Sequence, residues 1–276
     1  MARSLFGLLE EAIATERPAV LATAIDGTQA GAKVLATGPP PGDREPSIES
    51  VGWSDADLER AVRRDAVAAL GTGRSSTRRY GDGGRLDGAD HTVYYEPFVP
   101  PPRMVIFGAV DFSAALARVA KVLGFRVTVC DARPAFATAI RFPHADEVVV
   151  DWPDRHLAEV GATLGPRDAV CVLTHDAKFD VPAVVAALAT DVGYLGAMGS
   201  RRTTDDRARR LRDAGVAEAD FARIMAPIGL DLGARTPEET AVAICAEIIA
   251  CQTGRAVPRL RDTAGPIHGA GGDRSQ

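Results

Sequence analysis

Residues 103–131 read R-M-V-I-F-G-A-V-D-F-S-A-A-L-A-R-V-A-K-V-L-G-F-R-V-T-V-C-D. The apolar run Met104 to Phe107 stops at Gly108, and apolar residues then recur at helical spacing through Phe112, Leu116, Val119, Val122 and Leu123. Gly124 closes that helix as a C-cap signal, and a second apolar run, Val127 to Cys130, ends at once in Asp131. Strand, glycine turn, helix, strand and acid make up the first half of a dinucleotide-binding unit. The acid falls 23 positions after Gly108, near the usual spacing of about 20. The glycine fingerprint is altered, however. Where G-x-G-x-x-G is expected the chain has G-A-V-D-F-S, so Val110 and Ser113 stand where the second and third glycines would be. A Val side chain blocks the close backbone approach that a pyrophosphate needs. The stretch therefore speaks for a Rossmann-like fold, with or without a bound nucleotide.

Working outward, strand and helix signals alternate from residue 103 to about 255, which argues for a parallel sheet. The expected strands after Asp131 are Glu147–Val150, Ala169–Leu173 and Val192–Met198, the last of the set. Expected helical pieces start at Pro134 and span Leu157–Leu164. Asp180 is expected to cap a helix carrying Pro182 in its first turn and running to Leu188. Gly199-Ser200 opens another, ending at Gly215, and Thr236-Pro237-Glu238-Glu239 is a capping box for a helix over Ala241–Cys251 that is apolar on most sides. Upstream, Leu5, Leu8, Leu9, Ala12 and Ile13 share a helix face. Ala19–Ile25 and Ala32–Thr37 read as strands around Gly27, and Pro39–Pro46 as a mobile loop. Ser54 is read as the opener of a helix, and Thr77–Tyr80 and Thr92–Phe98 as strands.

Pro97 and Pro100 to Pro102 form the clearest boundary. The expected fold class is α/β: a smaller α+β domain over residues 1–99, a Rossmann-like parallel-sheet domain over 103–256, and a disordered tail over 257–276.

Composition sets outer limits. The 276 residues carry a net charge of −5, 46% apolar and 5% aromatic residues, which disfavours a broad nucleic-acid footprint. No apolar run reaches the ~18 residues of a membrane span. Acids come too early in M-A-R-S-L-F-G-L-L-E-E for a secretory signal, so a cytoplasmic location is expected. The four cysteines, Cys130, Cys171, Cys245 and Cys251, include no C-x-x-C pair, so neither a zinc site nor a disulfide framework is indicated. Cys130 and Cys171 read as core residues, with a reactive thiol the alternative at Cys130.

In an open parallel sheet, ligands bind beyond the carboxyl ends of the strands. The candidate ligand-binding residues lie there: Gly108, Asp131 and Arg133, the run Thr174-His175-Asp176, and the run Gly199-Ser200-Arg201-Arg202. Asp131 suits a ribose hydroxyl and Arg133 a phosphate, against the competing reading of a surface acid and base at a strand end. For Thr174-His175-Asp176 the competing reading is turn and cap chemistry. Gly199 to Arg202 is the strongest signal, a glycine turn opening a helix with two guanidiniums for an anion. Asp231, in the apolar segment Ala226–Gly233, is a further candidate if that segment folds back over the sheet edge. No catalytic triad, P-loop or paired-carboxylate motif is present, so no reaction and no metal site is assigned.

L-T-H-D-A-K-F-D-V-P-A (173–183), Y-L-G-A-M-G-S-R-R (194–202) and A-P-I-G-L-D-L-G-A-R-T-P-E-E-T-A (226–241) resemble the xanthine dehydrogenase accessory factor (XdhC/CoxI) family over roughly residues 103–255. The resemblance implies an accessory or chaperone protein rather than a catalyst. Such a protein binds molybdenum cofactor (molybdopterin) and aids its sulfuration or insertion into a molybdenum hydroxylase of xanthine or carbon monoxide dehydrogenase type. It also brings a cysteine desulfurase and a homodimer into view as partners. The chain departs from the family at the first turn and at Met225, where the family has His. It lacks a cysteine near V-G-W-S-D (51–55) and the G-S-x-P-R segment between Asp26 and Gly31. The alternatives are an NAD(P)-dependent oxidoreductase, favoured by Asp131, and a cofactor-free protein-binding scaffold.

Overall fold

The computed structural model describes residues 4–39, 45–85, 90–174 and 176–264. The chain divides into two compact units. One runs to Pro100 and takes in the segment from Arg259; the other spans Pro101–Pro258.

The first unit holds helix α1 (Leu5–Ala14), strands β1 (Ala19–Ala24), β2 (Lys33–Thr37) and β3 (Ser47–Val51), helix α2 (Ala56–Ala69), and strands β4 (Ser76–Tyr80) and β5 (His91–Phe98). Its antiparallel sheet has the order β3-β2-β1-β5-β4. Period-two alternation gives the sheet two apolar faces. Val20, Ala22, Val34, Ala36, Val93 and Tyr95 pack with Leu58, Val62 and Ala66 of α2. Ala19, Leu21 and Leu35 pack with Leu9 and Ala12 of α1. The sequence reading misplaces the start of α2. The N-cap is Asp55, whose carboxylate accepts from Asp57 N and Leu58 N, while Ser54 is taken up by Gln29, whose Nε2 donates to the Ser54 hydroxyl at 2.7 Å. A charged acceptor at the positive end of a helix is the stronger cap. Strand β3, over residues to which the sequence pattern assigns no element, alternates exposed and half-buried positions and is held by register to β2. Of the expected Pro39–Pro46 loop, residues 40–44 lie outside the described residues.

The second unit carries β6 (Arg103–Phe107), α3 (Asp111–Val122), β7 (Arg126–Cys130), β8 (Glu147–Val149), α4 (Pro153–Val160), β9 (Ala169–Val172), α5 (Ala177–Leu188), β10 (Tyr194–Ala197), α6 (Arg201–Asp213), β11 (Ile224–Met225) and α7 (Pro237–Thr253). The six strands form one parallel sheet in the order β11-β10-β9-β6-β7-β8. The chain winds from β6 outward through β7 to β8, returns to β9 on the other side, and continues to β11. The topological switch point, where such sheets open a crevice, thus lies between β6 and β9. Alternate strand residues serve the two faces: Met104, Ile106, Val127 and Val129 pack with α3 and α7, and Val105, Phe107, Val170 and Val172 with α4, α5 and α6.

Several local expectations give way to packing. Residues after Pro134 form turns rather than a helix. Helix α4 starts at Pro153, not Leu157, because Pro suits the first helical position. Helix α5 is capped by Asp176, not Asp180; Asp180 is buried one turn in, against Arg207 of α6. Strand β10 is not the last, since the two-residue β11 follows it, and β11 is too short to show a period. Helix α7 is not buried on most sides: Val242 and Ile249 are 50% and 45% exposed. Within the expected tail, Leu260–Asp262 forms a single 3-10 turn, and residues 265–276 lie outside the described residues. No helix of the described residues is long and apolar enough to cross a membrane.

Gly108 makes the switch point possible. Its φ is +112°, and a Cβ there would stand 2.9 Å from the Thr174 amide nitrogen. A Gly108→Ala variant is therefore expected to lose about 1–3 kcal/mol of stability while keeping the fold, measured as a lower urea midpoint with an unchanged far-ultraviolet circular dichroism spectrum.

Candidate functional site

Because the sheet is parallel, the turns that follow β11, β10, β9, β6 and β7 all leave one edge. The predicted residues Gly199 to Arg202, Thr174 and Asp176, Gly108, and Asp131 and Arg133 line it in that order from β10 to β7. His175 lies outside the described residues.

The turn between β6 and α3 is closed on itself. Gly108 N donates to Cys130 O at 2.9 Å, Ala109 N donates to Asp131 Oδ2 at 2.7 Å, and the Ser113 hydroxyl donates back to Gly108 O. Ser113 thereby fills the third glycine position with a bond a glycine cannot make. Val110, the N-cap residue of α3, supplies no side-chain cap, so the first amides of α3 are left for another acceptor. Val110 and Phe112 are half-buried and pack against the core.

Asp131 is buried, and its oxygens are already occupied. Besides Ala109 N, it accepts from Arg133 N at 2.9 Å, Arg133 Nε at 2.9 Å and Arg133 Nη2 at 2.7 Å. Burial pushes its carboxyl upward, but the Arg133 guanidinium and these two amides outweigh that and hold it below the ordinary carboxylate range. Asp131 therefore positions the turn. The guanidinium of Arg133 in turn lies 4.6 Å from the ring centroid of Phe136, which is 44% exposed. On the same ring, at 5.6 Å, is Arg141, which also donates to Ala109 O and pairs with Asp111 at 3.6 Å. The sequence reading missed Phe136 and Arg141, since neither sits at a strand end or in a motif and only the turn after Asp131 brings them to the rim.

On the other side of the switch point, the Thr174 hydroxyl accepts from Asp176 N at 3.3 Å, and Asp176 caps α5 by accepting from Lys178 N. That amide bond holds the Asp176 carboxyl below its usual range. Ser200 caps α6, accepting from Thr203 N at 3.2 Å. Arg201 and Arg202 follow it, exposed, and make no ion pair among the described residues. Asp231 is exposed, and its neighbours are bound to α7: Gly229 N donates to Glu247 and Leu230 N to Ala243 O. No described contact joins it to the rim. The Cys130 thiol is buried, donates to Asp151 O, and is pushed up to about 12 by burial, so it is no thiolate at neutral pH. No group of three or more metal-ligating side chains occurs among the described residues.

Two cationic stations therefore share one rim: Arg133 with Arg141 at the end of β7, and Arg201 with Arg202 at the end of β10. Three strand spacings separate them, about 14 Å. Between them lie the N-terminus of α3, without a side-chain cap, and the close approach of Gly108 to Thr174.

The family model described as the XdhC Rossmann domain matches residues 104–248, just over half the chain. The chain belongs to this family. Among curated proteins, one from Bacillus subtilis (strain 168) named as a probable xanthine dehydrogenase subunit is 34% identical over 157 residues, covering 57% of this chain and 45% of that protein. "Molybdenum cofactor insertion chaperone PaoD" of Escherichia coli (strain K12) is 28% identical over 151 residues, covering 55% of this chain and 40% of that one. The chain thus spans less than half the length of these relatives. A solved structure described as a xanthine dehydrogenase from Bacillus halodurans matches in fold, with 22% identity, a TM-score of 0.50, and coverage of 95% of this chain and 98% of that one. The XdhC family's Rossmann-like fold is the one observed here.

The Asp131 staple has a pH signature. A carboxyl whose folded-state pKa is depressed stabilises the fold above its unfolded pKa of about 3.9, and that stability is lost as pH falls through the lower folded value. Asp131→Asn should cost about 1–2 kcal/mol at pH 7, with the gap to the parent protein narrowing by pH 3, measured by urea unfolding at both values.

Proposed function

We propose that this protein is an accessory factor for maturation of a molybdenum hydroxylase, of xanthine or carbon monoxide dehydrogenase type, and that its rim holds the molybdenum cofactor during sulfuration or insertion. The observation that carries this reading is the pair Arg201 and Arg202. They are exposed and without an ion-pair partner among the described residues, and they open α6 directly after the Ser200 cap. A helix N-terminus with two free guanidiniums is chemistry for a phosphate. At the other end of the rim, Phe136 between Arg133 and Arg141 offers a planar ring and cationic faces to a flat heterocycle. The separation of about 14 Å suits an elongated ligand with a ring at one end and phosphate at the other.

Family membership supports the reading, as do the names of the Bacillus subtilis and Escherichia coli relatives. The residues present fit the anionic and planar parts of the cofactor. The described rim offers no thiolate to a molybdenum atom, since Cys130 is buried and protonated, so the protein would grip the organic portion. In this reading Gly108, Thr174, His175 and Asp176 border the ligand, Asp131 acts through Arg133, and Asp231 stays at the periphery. A cysteine desulfurase as sulfur source, a homodimer and a cytoplasmic setting belong to the same proposal. The NAD(P)-dependent alternative rests on Asp131 as a ribose acceptor. That role fits poorly with a carboxylate already filled by Ala109 and Arg133.

Titration of the purified protein with molybdopterin, followed by fluorescence quenching, should show saturable binding. Arg201→Ala with Arg202→Ala should weaken it about 10- to 100-fold, the worth of one or two charge-assisted hydrogen bonds. NADH and NADPH should titrate without saturation. Saturation by a nicotinamide nucleotide and none by molybdopterin would replace this function with the oxidoreductase one.

A further inference from the structure

Arg207 of α6 is buried, 2% exposed, and its guanidinium serves two neighbours at once. Its Nε donates to both oxygens of Asp180 on α5, at 2.8 and 2.9 Å, and its Nη2 donates to Met198 O, the carbonyl just past the end of β10. Met198 N in turn donates to Val172 O of β9 at 2.8 Å. The residue ahead of the Gly199-Ser200 turn is thus tied to β9 by its N–H and to α6 by its carbonyl. Nη2 also stands 3.5 Å from the place a Cβ on Gly199 would take, so the guanidinium lies directly against the turn.

That bond decides which way the turn's first amide points. The Met198–Gly199 peptide is trans, since the cis bond recorded among the described residues is Ala226-Pro227. In a trans peptide the C=O and the N–H point in opposite directions. With Met198 O turned inward to Arg207, the Gly199 N–H is turned away from the buried pair. It has no acceptor among the described residues, nor have the amides of Ser200, Arg201 and Arg202. The Ser200 hydroxyl serves Thr203 N, the next in line. Successive outward amides make an anion cradle, and the two arginine side chains carry the charge that goes with it.

We propose that Arg207 is a positioning residue for the phosphate station. It sets the Gly199 amide as a further donor beside Arg201 and Arg202, and Asp180 fixes the guanidinium that does so. The assignment rests on the reading above that Arg201 and Arg202 take a phosphate. It accounts for the residue type. The planar guanidinium reaches Asp180 with one nitrogen and Met198 O with another, in directions fixed by its fork, whereas a lysine ammonium is a point charge on a flexible stem. The ligand thereby gains a main-chain donor whose direction depends on a side chain buried behind it.

The test uses the full chain and inorganic phosphate, followed by nuclear magnetic resonance. In the parent protein the Gly199 amide resonance should move saturably as phosphate is added. Arg207→Lys keeps a cation beside Asp180 and drops the bond to Met198 O. It should weaken phosphate about tenfold, the worth of one charge-assisted hydrogen bond. With the circular dichroism spectrum unchanged, its Gly199 amide should no longer follow the titration. A merely structural role would lower the melting temperature and leave that amide responding. Asp180→Asn keeps an acceptor for Nε and should weaken phosphate less, about threefold. A Gly199 amide that ignores phosphate in the parent protein would overturn the proposal, whether or not the variants fold. So would a folded Arg207→Lys protein that binds phosphate as the parent does. Phosphate binding without molybdopterin binding would leave Arg207 in this role and remove the cofactor reading alone.

Discussion

The Asp131 carboxylate is the hinge of the second unit. Through Ala109 N it fixes the turn that ends β6 and starts α3, and through Arg133 it fixes the turn that ends β7. Two adjacent strands thus have their exits tied by one buried anion. A carboxylate in that place is normally free for a ligand hydroxyl. Here it is internal, and the position of Arg133 over Phe136 follows from it. The altered glycine fingerprint belongs to the same arrangement. Ser113 bonding Gly108 and Asp131 bonding Ala109 hold the shape of the turn, while Val110 leaves the first amides of α3 without a side-chain cap.

The rest of the rim depends on a second buried ion pair. Asp180 and Arg207 join α5 to α6, and Arg207 reaches on to Met198 O, ahead of Gly199 and Ser200. A pair buried to 6% and 2% is costly to assemble and costly to break from one side. It fixes where α6 begins, and so the direction in which Arg201 and Arg202 leave the sheet edge. Tyr194 and Gly229 N, both bound to Glu247, hold the Ala226–Gly233 segment to α7 in the same way.

Local pattern carried much of the architecture. The β6-α3-β7 unit, the run of strands through β10, the Thr236 capping box and the ligand-edge loops are all set by periodicity, glycine position and cap chemistry, which act over a few residues. The misreadings share a physical cause. Ser54 and Asp180 are each locally good caps, yet Asp55 and Asp176 serve, because Gln29 claims the first and Arg207 the second from far along the chain. Strand β11 exists only because β10 offers it an edge.

The sequence by itself determined a Rossmann-like parallel sheet, the family to which the chain belongs, and the set of loops that share the carboxyl edge. Those follow from the apolar period and from motifs that are contiguous. Only the tertiary structure decided that Asp131 is consumed in holding the turns, that Phe136 and Arg141 join the rim, and that Arg207 is buried between Asp180 and Met198 O. The physical reason is that a hydrogen-bonding group is free or spent according to what stands opposite it in space, and that neighbour is set by packing between elements rather than by position along the chain.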